Sequence, residues 1–388
     1  MNYILFDDQV VRKNLLPLTF TRPVADIRFG ILTMREKWEL ALDVSTSSLT
    51  EGYLSVKFPV VKKDDNILIN SSINPSEALI KEIHNLKTDQ ALVGNTKVIA
   101  MRLSLESLEN MDSVESQEVK LQTESVCINN VWDLFSKLDE TIAIDFETIT
   151  KGRKSQKLSD TNRVIGEHPI FIEEGAVVEF STLNTSNGPI YIGKDAEVME
   201  NSSVRGPFAL GEHAVLKMGA IVYGPTSIGP YSKIGGEVSN SMILGYSSKG
   251  HAGFLGNSVL GEWCNLGADT NTSNLKNTYD LVRIWNYNQE SFVSTGLQFC
   301  GLIMGDHSKS SINTMFNTGT VVGVNVNIFG TGFPRQFVPS YSWGGPSGYK
   351  KYNFKKSIEV AKRVYARRDL EFTQVDEDIL KVVYDKTI

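Results

Sequence analysis

Between Ile190 and Ile234 the hydrophobic positions repeat every sixth residue. Ile192, Val198, Val204, Leu210, Leu216, Val222, Ile228 and Ile234 are all aliphatic. Two residues before each stand Ile190, Ala196, Ser202, Phe208, Ala214, Ala220, Thr226 and Ser232, most of them small. Gly follows the aliphatic residue directly at 193, 211, 229 and 235, and once removed at 206 and 224. A helix repeats its apolar face at about 3.6 residues and a strand alternates at 2, so neither explains the pattern. Six fits a solenoid of short strands, in which three such edges close a triangular turn of about eighteen residues. The aliphatic side chain points inward, the small residue fits a corner, and Gly permits the bend.

The register becomes detectable near Ile170 and breaks after Ile234. It resumes at Phe254, Leu260 and Leu266, with Ala252, Ser258 and Cys264 in the small positions. A loop of about thirty residues over 267–297 interrupts it, followed by Met304, Ser310, Phe316, Val322 and Ile328. Breaks in a solenoid mark loops leaving its faces, where functional groups collect. Beyond Pro339 the chain leaves the repeat. Residues 354–368 have the spacing of a C-terminal helix with cations at its negative pole.

The first 150 residues read differently. They hold only Gly30, Gly52 and Gly94, against the other 28 of 31 glycines downstream. Tyr3–Phe6 and Asn66–Asn70 read as strands, and Gln90–Val93 with Lys97–Leu103 as a strand pair. Ile31–Leu42 has helical spacing. Asn74-Pro-Ser-Glu signals the start of a helix reaching about Leu86, and Val131–Leu138 is a further helix candidate. Alternating strands and helices predict an α/β domain with a mainly parallel sheet. Residues 103–125, rich in Ser and Glu, read as a mobile or helical insertion. With the boundary between 150 and 165, the chain divides into 1–155 (α/β), 163–345 (solenoid) and 346–388 (helical tail).

Composition narrows the class. At 388 residues each domain is large enough for its own core. A net charge of −6, from 39 basic and 45 acidic residues, argues against a nucleic-acid partner. No apolar run is long enough to span a membrane, and the start Met1-Asn-Tyr-Ile-Leu-Phe-Asp-Asp is unlike a signal peptide. Cys127, Cys264 and Cys300 are too few and too scattered for a disulfide framework or a zinc site. The expectation is a cytoplasmic protein with no membrane insertion.

Candidate chemistry gathers across the first break of the repeat, in Lys249-Gly-His-Ala-Gly-Phe-Leu-Gly and Gly261-Glu-Trp-Cys-Asn-Leu-Gly-Ala-Asp-Thr-Asn. His251 lies between Gly250 and Gly253, which would let a substrate approach the backbone. A lone loop His is ordinarily solvated or structurally bonded, and Asn265, Thr270, Asn271 and Asn274 could equally be corner residues.

Stacked hexapeptides with a Lys-Gly-His loop, followed by Leu-Gly-(x)4-Gly-(x)3-Asn-Leu-Gly-Ala, resemble the acetyltransferase half of the bifunctional enzymes that make UDP-N-acetylglucosamine. The resemblance implies a left-handed parallel β-helix, a homotrimer, and an active site between subunits. It also implies acetyl-CoA as co-substrate and an amino-sugar 1-phosphate as acceptor. By the same resemblance His251 is the general base. Asn265 and Asn274 contact the sugar, Asn274 also lies by the acetyl group, and Ser294 lies near the cofactor. Three departures stand out. The family's loop Tyr is Phe254, a Gly of its Gly-Ala-Gly-Thr is Asp269, and its sugar-phosphate Arg is replaced by Lys233 or Lys249.

The N-terminal part resembles sugar-1-phosphate nucleotidylyltransferases, with a Rossmann-like fold, through Pro17-Leu-Thr-Phe-Thr-Arg-Pro23. The Gly-rich loop of that family is replaced by Phe6-Asp-Asp-Gln-Val-Val-Arg-Lys. A phosphate cradle normally uses bare backbone N–H groups, so here the cations Arg12, Lys13, Arg22 and Arg28 are the candidate contacts to a nucleoside triphosphate or sugar phosphate. An ordinary solvated basic face explains them equally well. Asp145 is the candidate Mg2+ ligand. Three functions stay open: acetyl transfer joined to uridylyl transfer, nucleotidyl transfer with the solenoid only oligomerising, and a non-catalytic nucleotide-sugar-binding scaffold.

Overall fold

The computed structural model describes residues 1–94, 97–111 and 116–386. By packing, the chain divides into two compact units. The first is Met1–Leu15, Thr21–Ile27 and Leu32–Asn130. The second is Leu16–Phe20, Arg28–Ile31 and Val131–Ile388. No helix among the described residues is long and apolar enough to cross a membrane.

In the first unit the elements run β1 (Asn2–Phe6), α1 (Gln9–Asn14), α2 (Met34–Leu42), β2 (Ser47–Leu49), β3 (Asp65–Asn70), α3 (Glu77–His84), β4 (Gln90–Val93), β5 (Val98–Ser104), α4 (Leu105–Glu109) and β6 (Gln117–Lys120). Among the described residues they build a six-stranded sheet in the order β2-β1-β3-β5-β4-β6. The expected mainly parallel sheet is in fact mixed. β1 runs parallel to β2 and β3, and β4 parallel to β6, but β5 is antiparallel to both neighbours. The reason is the tight link after β4, closed by the Gly94 N–H on the Lys97 carbonyl at 2.9 Å. So short a turn can make a hairpin but not the crossover that parallel strands need.

Helix α2 starts three residues later than the spacing suggests. Thr33 and Glu36 form a reciprocal capping box there, which satisfies the first free N–H groups. Trp38, Leu79 and Ile83 cover one face of the sheet, against Ile67 and Ile69. The polar 103–125 stretch contains α4 and β6, while its residues 112–115 lie outside the described set.

The second unit opens with α5 (Asp133–Ser136) and α6 (Leu138–Thr150). A parallel β-helix follows. Among the described residues its three faces are sheets of six, nine and ten strands, the last closed by an antiparallel hairpin, Ser342–Gly345 with Gly348–Lys351. Two helices end the chain, α7 (Phe354–Ala366) and α8 (Gln374–Lys386); the sequence pattern gave only the first. The inward rows are the aliphatic residues of the repeat. Val204, Leu210, Leu216, Val222, Ile228 and Ile234 are each at most 2% exposed.

The solenoid does not break after Ile234. Ile234 pairs with Lys249, Val238 with Leu255 and Ile243 with Leu260. The register was lost to sequence reading because two corners are shorter. Only four residues separate Ile234 from Val238 and five separate Val238 from Ile243, in place of six. Leu255, not Phe254, therefore points inward. The excursion also begins later than expected, since Asn271–Thr272 still pairs with Met315–Phe316. It carries the antiparallel hairpin Arg283–Asn286 and Ser291–Ser294.

One corner column, between the nine- and ten-stranded faces, has a left-handed residue in each coil. It runs Gly175, Asp195, His213, Tyr231, Tyr246, Trp263, His307, Asn325 and Tyr341. A bulky side chain at positive φ costs roughly 1–2 kcal/mol. Here the rings offset that cost by stacking, at 4.8 Å from His213 to Tyr231, 5.1 Å from Tyr231 to Tyr246 and 4.3 Å from Tyr246 to Trp263. Tyr365 of α7 joins the stack at 4.0 Å from Trp263. This fixes the C-terminal end of α7 on that corner.

Candidate functional site

His251 sits on the next corner of the coil, where the chain passes from Ser248–Lys249 on the ten-stranded face to Phe254–Gly256 on the six-stranded face. The corner beneath it, Gly235–Gly236, is one of the shortened ones. Gly236 has φ +69, and a Cβ there would lie 2.8 Å from the His251 carbonyl oxygen, 2.9 Å from that of Gly253 and 2.9 Å from Lys249 Nζ. Only glycine lets the two corners close on each other. The His251 side chain is exposed, and no hydrogen bond to its imidazole occurs among the described residues.

Lys249 is what holds this corner. It occupies the inward row that also holds Val198, Leu216, Ile234, Leu266, Ser310 and Ile328, and is 1% exposed. Its ammonium donates to the carbonyl oxygens of Gly235 at 2.8 Å and His251 at 2.9 Å. Burial in the apolar core lowers its pKa from 10.5 to about 8, opposed by the charge of Asp269. Lys249 is thus a buried clamp on the His251 backbone, whereas the sequence comparison placed it on a substrate phosphate.

The remaining candidates flank the corner on both sides. On the ten-stranded face the outward row is Lys233, Ser248, Asn265 and Lys309; Lys233 and Asn265 are exposed. Lys309 is spent on the His307 carbonyl at 2.7 Å, and burial lowers its pKa to about 8. On the six-stranded side the Phe254 N–H donates to Asn271 Oδ1 at 2.9 Å, and Asn274 Nδ2 donates to Asn257 Oδ1 at 2.8 Å. A Cβ on Gly256 would meet both the Phe254 ring and Asn274 Nδ2, so those two groups cover the same backbone.

Asp269 takes the left-handed corner conformation (φ 55), and its N–H donates to the Ala252 carbonyl at 3.1 Å. Asp tolerates that conformation better than most residues, so the change from Gly leaves the corner intact. Ser294 is not brought to this group. It is exposed in the hairpin, and its hydroxyl accepts the Gly296 N–H at 3.3 Å. Cys264 and Cys300 are buried, and burial pushes both thiols up to about 12. Neither is an available nucleophile.

In the first unit Arg12 is consumed locally. Arg12 is 4% exposed and pairs with Asp7 at 2.9 Å. Its guanidinium also donates to the Arg22 carbonyl at 3.2 Å and the Tyr53 hydroxyl at 3.1 Å. Asp7 in turn accepts the Val24 N–H at 2.9 Å and the Thr50 hydroxyl at 2.5 Å. At the C-terminal end of β1, where an α/β sheet usually receives a ligand, the protein has placed its own buried carboxylate and guanidinium. Arg22 is buried, and only Lys13 is exposed.

Residues 3–154 match the sugar nucleotidyl transferase family. Over 89 residues the chain is 35% identical to the bifunctional protein GlmU of Methanocaldococcus jannaschii and 33% identical to that of Methanococcus aeolicus. Those 89 residues are 23% of this chain and 21% of each relative, so the chain spans about a fifth of the length of the curated relatives it matches. Among solved structures, the polysialic-acid-specific acetyltransferase NeuO is 16% identical at a TM-score of 0.29, covering 50% of this chain and 88% of its own. An Arabidopsis UDP-N-acetylglucosamine acyltransferase is 12% identical at a TM-score of 0.24, covering 53% of this chain and 74% of its own.

The segment Pro17–Pro23, within the matched region, is split between the packing units. Leu16–Phe20 and Arg28–Ile31 belong to the second unit, as do α5 and α6. Arg28 is accordingly far from a phosphate-loop role: its guanidinium donates to the carbonyls of Leu244, at 3.3 Å, and Ile31. Asp145 is 2% exposed and accepts the Ile31 N–H at 2.8 Å. No group of three or more His, Cys, Asp or Glu able to hold a metal ion occurs among the described residues. Asp145, the candidate metal ligand, is thus engaged with the Ile31 backbone.

Proposed function

We propose that the second unit is an acetyl-CoA-dependent N-acetyltransferase acting on an amino-sugar 1-phosphate, with glucosamine-1-phosphate as the first candidate acceptor. The observation that carries this reading is His251, an exposed imidazole with no hydrogen-bond partner among the described residues, on a corner locked from within by Lys249. The imidazole takes a proton from the acceptor amine as the nitrogen attacks the thioester carbonyl. The N–C bond forms, the C–S bond breaks, and the thiol leaves with the proton that the imidazolium returns. Exposed Asn265 and the Phe254–Asn274 patch lie on the two faces meeting at this corner and would orient the sugar. Buried, high-pKa cysteines argue against a covalent thioester route. The family resemblance adds a homotrimer of left-handed β-helices and a cytoplasmic setting to the proposal.

The test is thiol release from acetyl-CoA with a panel of amino-sugar 1-phosphates. Turnover on at least one acceptor supports the reading, and none on any sinks it.

For the first unit we propose nucleotide-sugar recognition, with uridylyl transfer and UDP-N-acetylglucosamine as the product in its catalytic form. The Asp7–Arg12 pair favours a second reading, in which this unit binds a sugar nucleotide without turning it over. Pyrophosphate release from UTP and dTTP, with and without the acetylated sugar phosphate, separates the two.

A further inference from the structure

A groove of about 380 Å³ lies entirely within the second unit. One wall is the corner between the six- and nine-stranded faces, where Pro225, Asn240 and Asn257 follow one another in successive coils. Another is the α5–α6 junction, which presents Ser136 and Asp139. Phe299, where the excursion returns to the solenoid, closes the groove and keeps 45% of its surface exposed.

Both corner asparagines are left-handed, with φ 44 at Asn240 and 46 at Asn257. That conformation favours Asn, but glycine meets it equally well, so it does not account for the carboxamides. Asn257 Oδ1 accepts from Asn274 Nδ2 at 2.8 Å. Asn240 is different. Its Oδ1 is buried without a partner, and its carboxamide makes no other hydrogen bond among the described residues. An amide desolvated in this way is destabilising, and a ligand hydroxyl that can both donate and accept relieves it. With neither end held, the amide can turn either atom toward the groove.

Ser136 and Asp139 are exposed, and their side chains make no hydrogen bond or ion pair among the described residues. The helix dipole accounts for Asp139 in the first turn of α6, but not for Asn240 or Phe299. Among the described residues no Lys, Arg or His lines the groove, so a phosphate finds no counter-charge. A pyranose fits instead. Its vicinal hydroxyls match a carboxamide, a carboxylate and a hydroxyl, and its C–H face matches the electron-rich face of an aromatic ring.

We propose that this groove binds an unphosphorylated sugar unit, with Asn240, Asp139 and Ser136 on its hydroxyls and Phe299 against its ring. The site is distinct from the outward row that carries Lys233 and Asn265. It adjoins the six-stranded side of the His251 corner, because Asn257 lines the groove while holding Asn274 beside Phe254. It does not depend on the acyl-transfer reading.

The experiment is ligand-observed NMR titration of the full-length protein with the methyl glycosides of glucose, glucosamine and N-acetylglucosamine. At least one should bind. Its affinity should fall about tenfold or more in Asn240→Gly, which keeps the left-handed corner, and independently in Phe299→Ala, with unchanged thermal melting. Asn265→Ala should bind the same glycoside like the wild type. Glucose 6-phosphate should show no binding that depends on Asn240. Binding kept in both groove variants and lost in Asn265→Ala would place the sugar at the His251 corner, which overturns the groove and leaves the acyl-transfer reading standing. Binding of none of the glycosides, or Asn240-dependent binding of the phosphate, also overturns the proposal.

Discussion

The two units treat their polar residues in opposite ways. In the first, Asp7, Arg12, Thr50 and Tyr53 bond to one another at the end of β1, with Asp7 and Arg12 buried. In the second, His251, Asn265 and Lys233 are left exposed, while a single buried cation, Lys249, fixes the backbone beneath them. A family match alone would direct attention to the first unit. The hydrogen-bond inventory directs it to the second, because groups already paired in a low-dielectric interior have little left to offer a ligand.

Breaking the first setting should have the largest effect on stability. Arg12→Ala leaves the Asp7 carboxylate buried without its partner and should cost about 3–5 kcal/mol in urea unfolding. An Arg12 that instead served a nucleotide phosphate would show near-wild-type stability and a loss of triphosphate binding.

Lys249 sharpens the contrast through pH. Its pKa of about 8 in the folded chain lies below the ordinary 10.5, so between those values the unfolded chain binds more protons. Stability must therefore rise with pH across that window. From 10.5 − 8, or 2.5 pKa steps, at about 1.4 kcal/mol each, the rise is on the order of 3 kcal/mol. Lys249→Met should lack this component, so wild type and variant diverge between about pH 8 and 10.5 in denaturant titrations. It should also lower kcat with little change in substrate KM, since the corner is loosened and the binding faces are not. Parallel pH curves would show that Lys249 is solvated and not clamped.

Asp269→Gly should have the smallest effect. The corner conformation is already left-handed and its backbone bond to Ala252 does not need a side chain. Stability should change by less than about 1 kcal/mol, and KM for the acceptor should fall modestly as the carboxylate is removed. A large loss of activity would instead place Asp269 in contact with substrate.

What the sequence disclosed follows from the range of each signal. The inward rows from Ile192 to Ile234 were legible because one position decides burial in every coil. The continuation through Val238 and Ile243 was not, since a corner shortened by two residues shifts the register without changing the fold. Lys249 was misread for a related reason: a lysine in an apolar row looks like a surface residue until its ammonium is seen on two corner carbonyls. The location of His251 on a glycine-flanked corner was readable from Gly250 and Gly253. Arg12 depended on Thr50 and Tyr53. No local pattern connects residues so far apart in the chain.

The account stands most directly on His251. Thiol release from acetyl-CoA with an accepted amino-sugar phosphate should be compared for wild type and His251→Ala across pH 5.5–9. The prediction is a rate loss of about 10²–10⁴-fold at every pH, with unchanged melting. Turnover in His251→Ala within a few-fold of wild type, with the same pH profile, would contradict it.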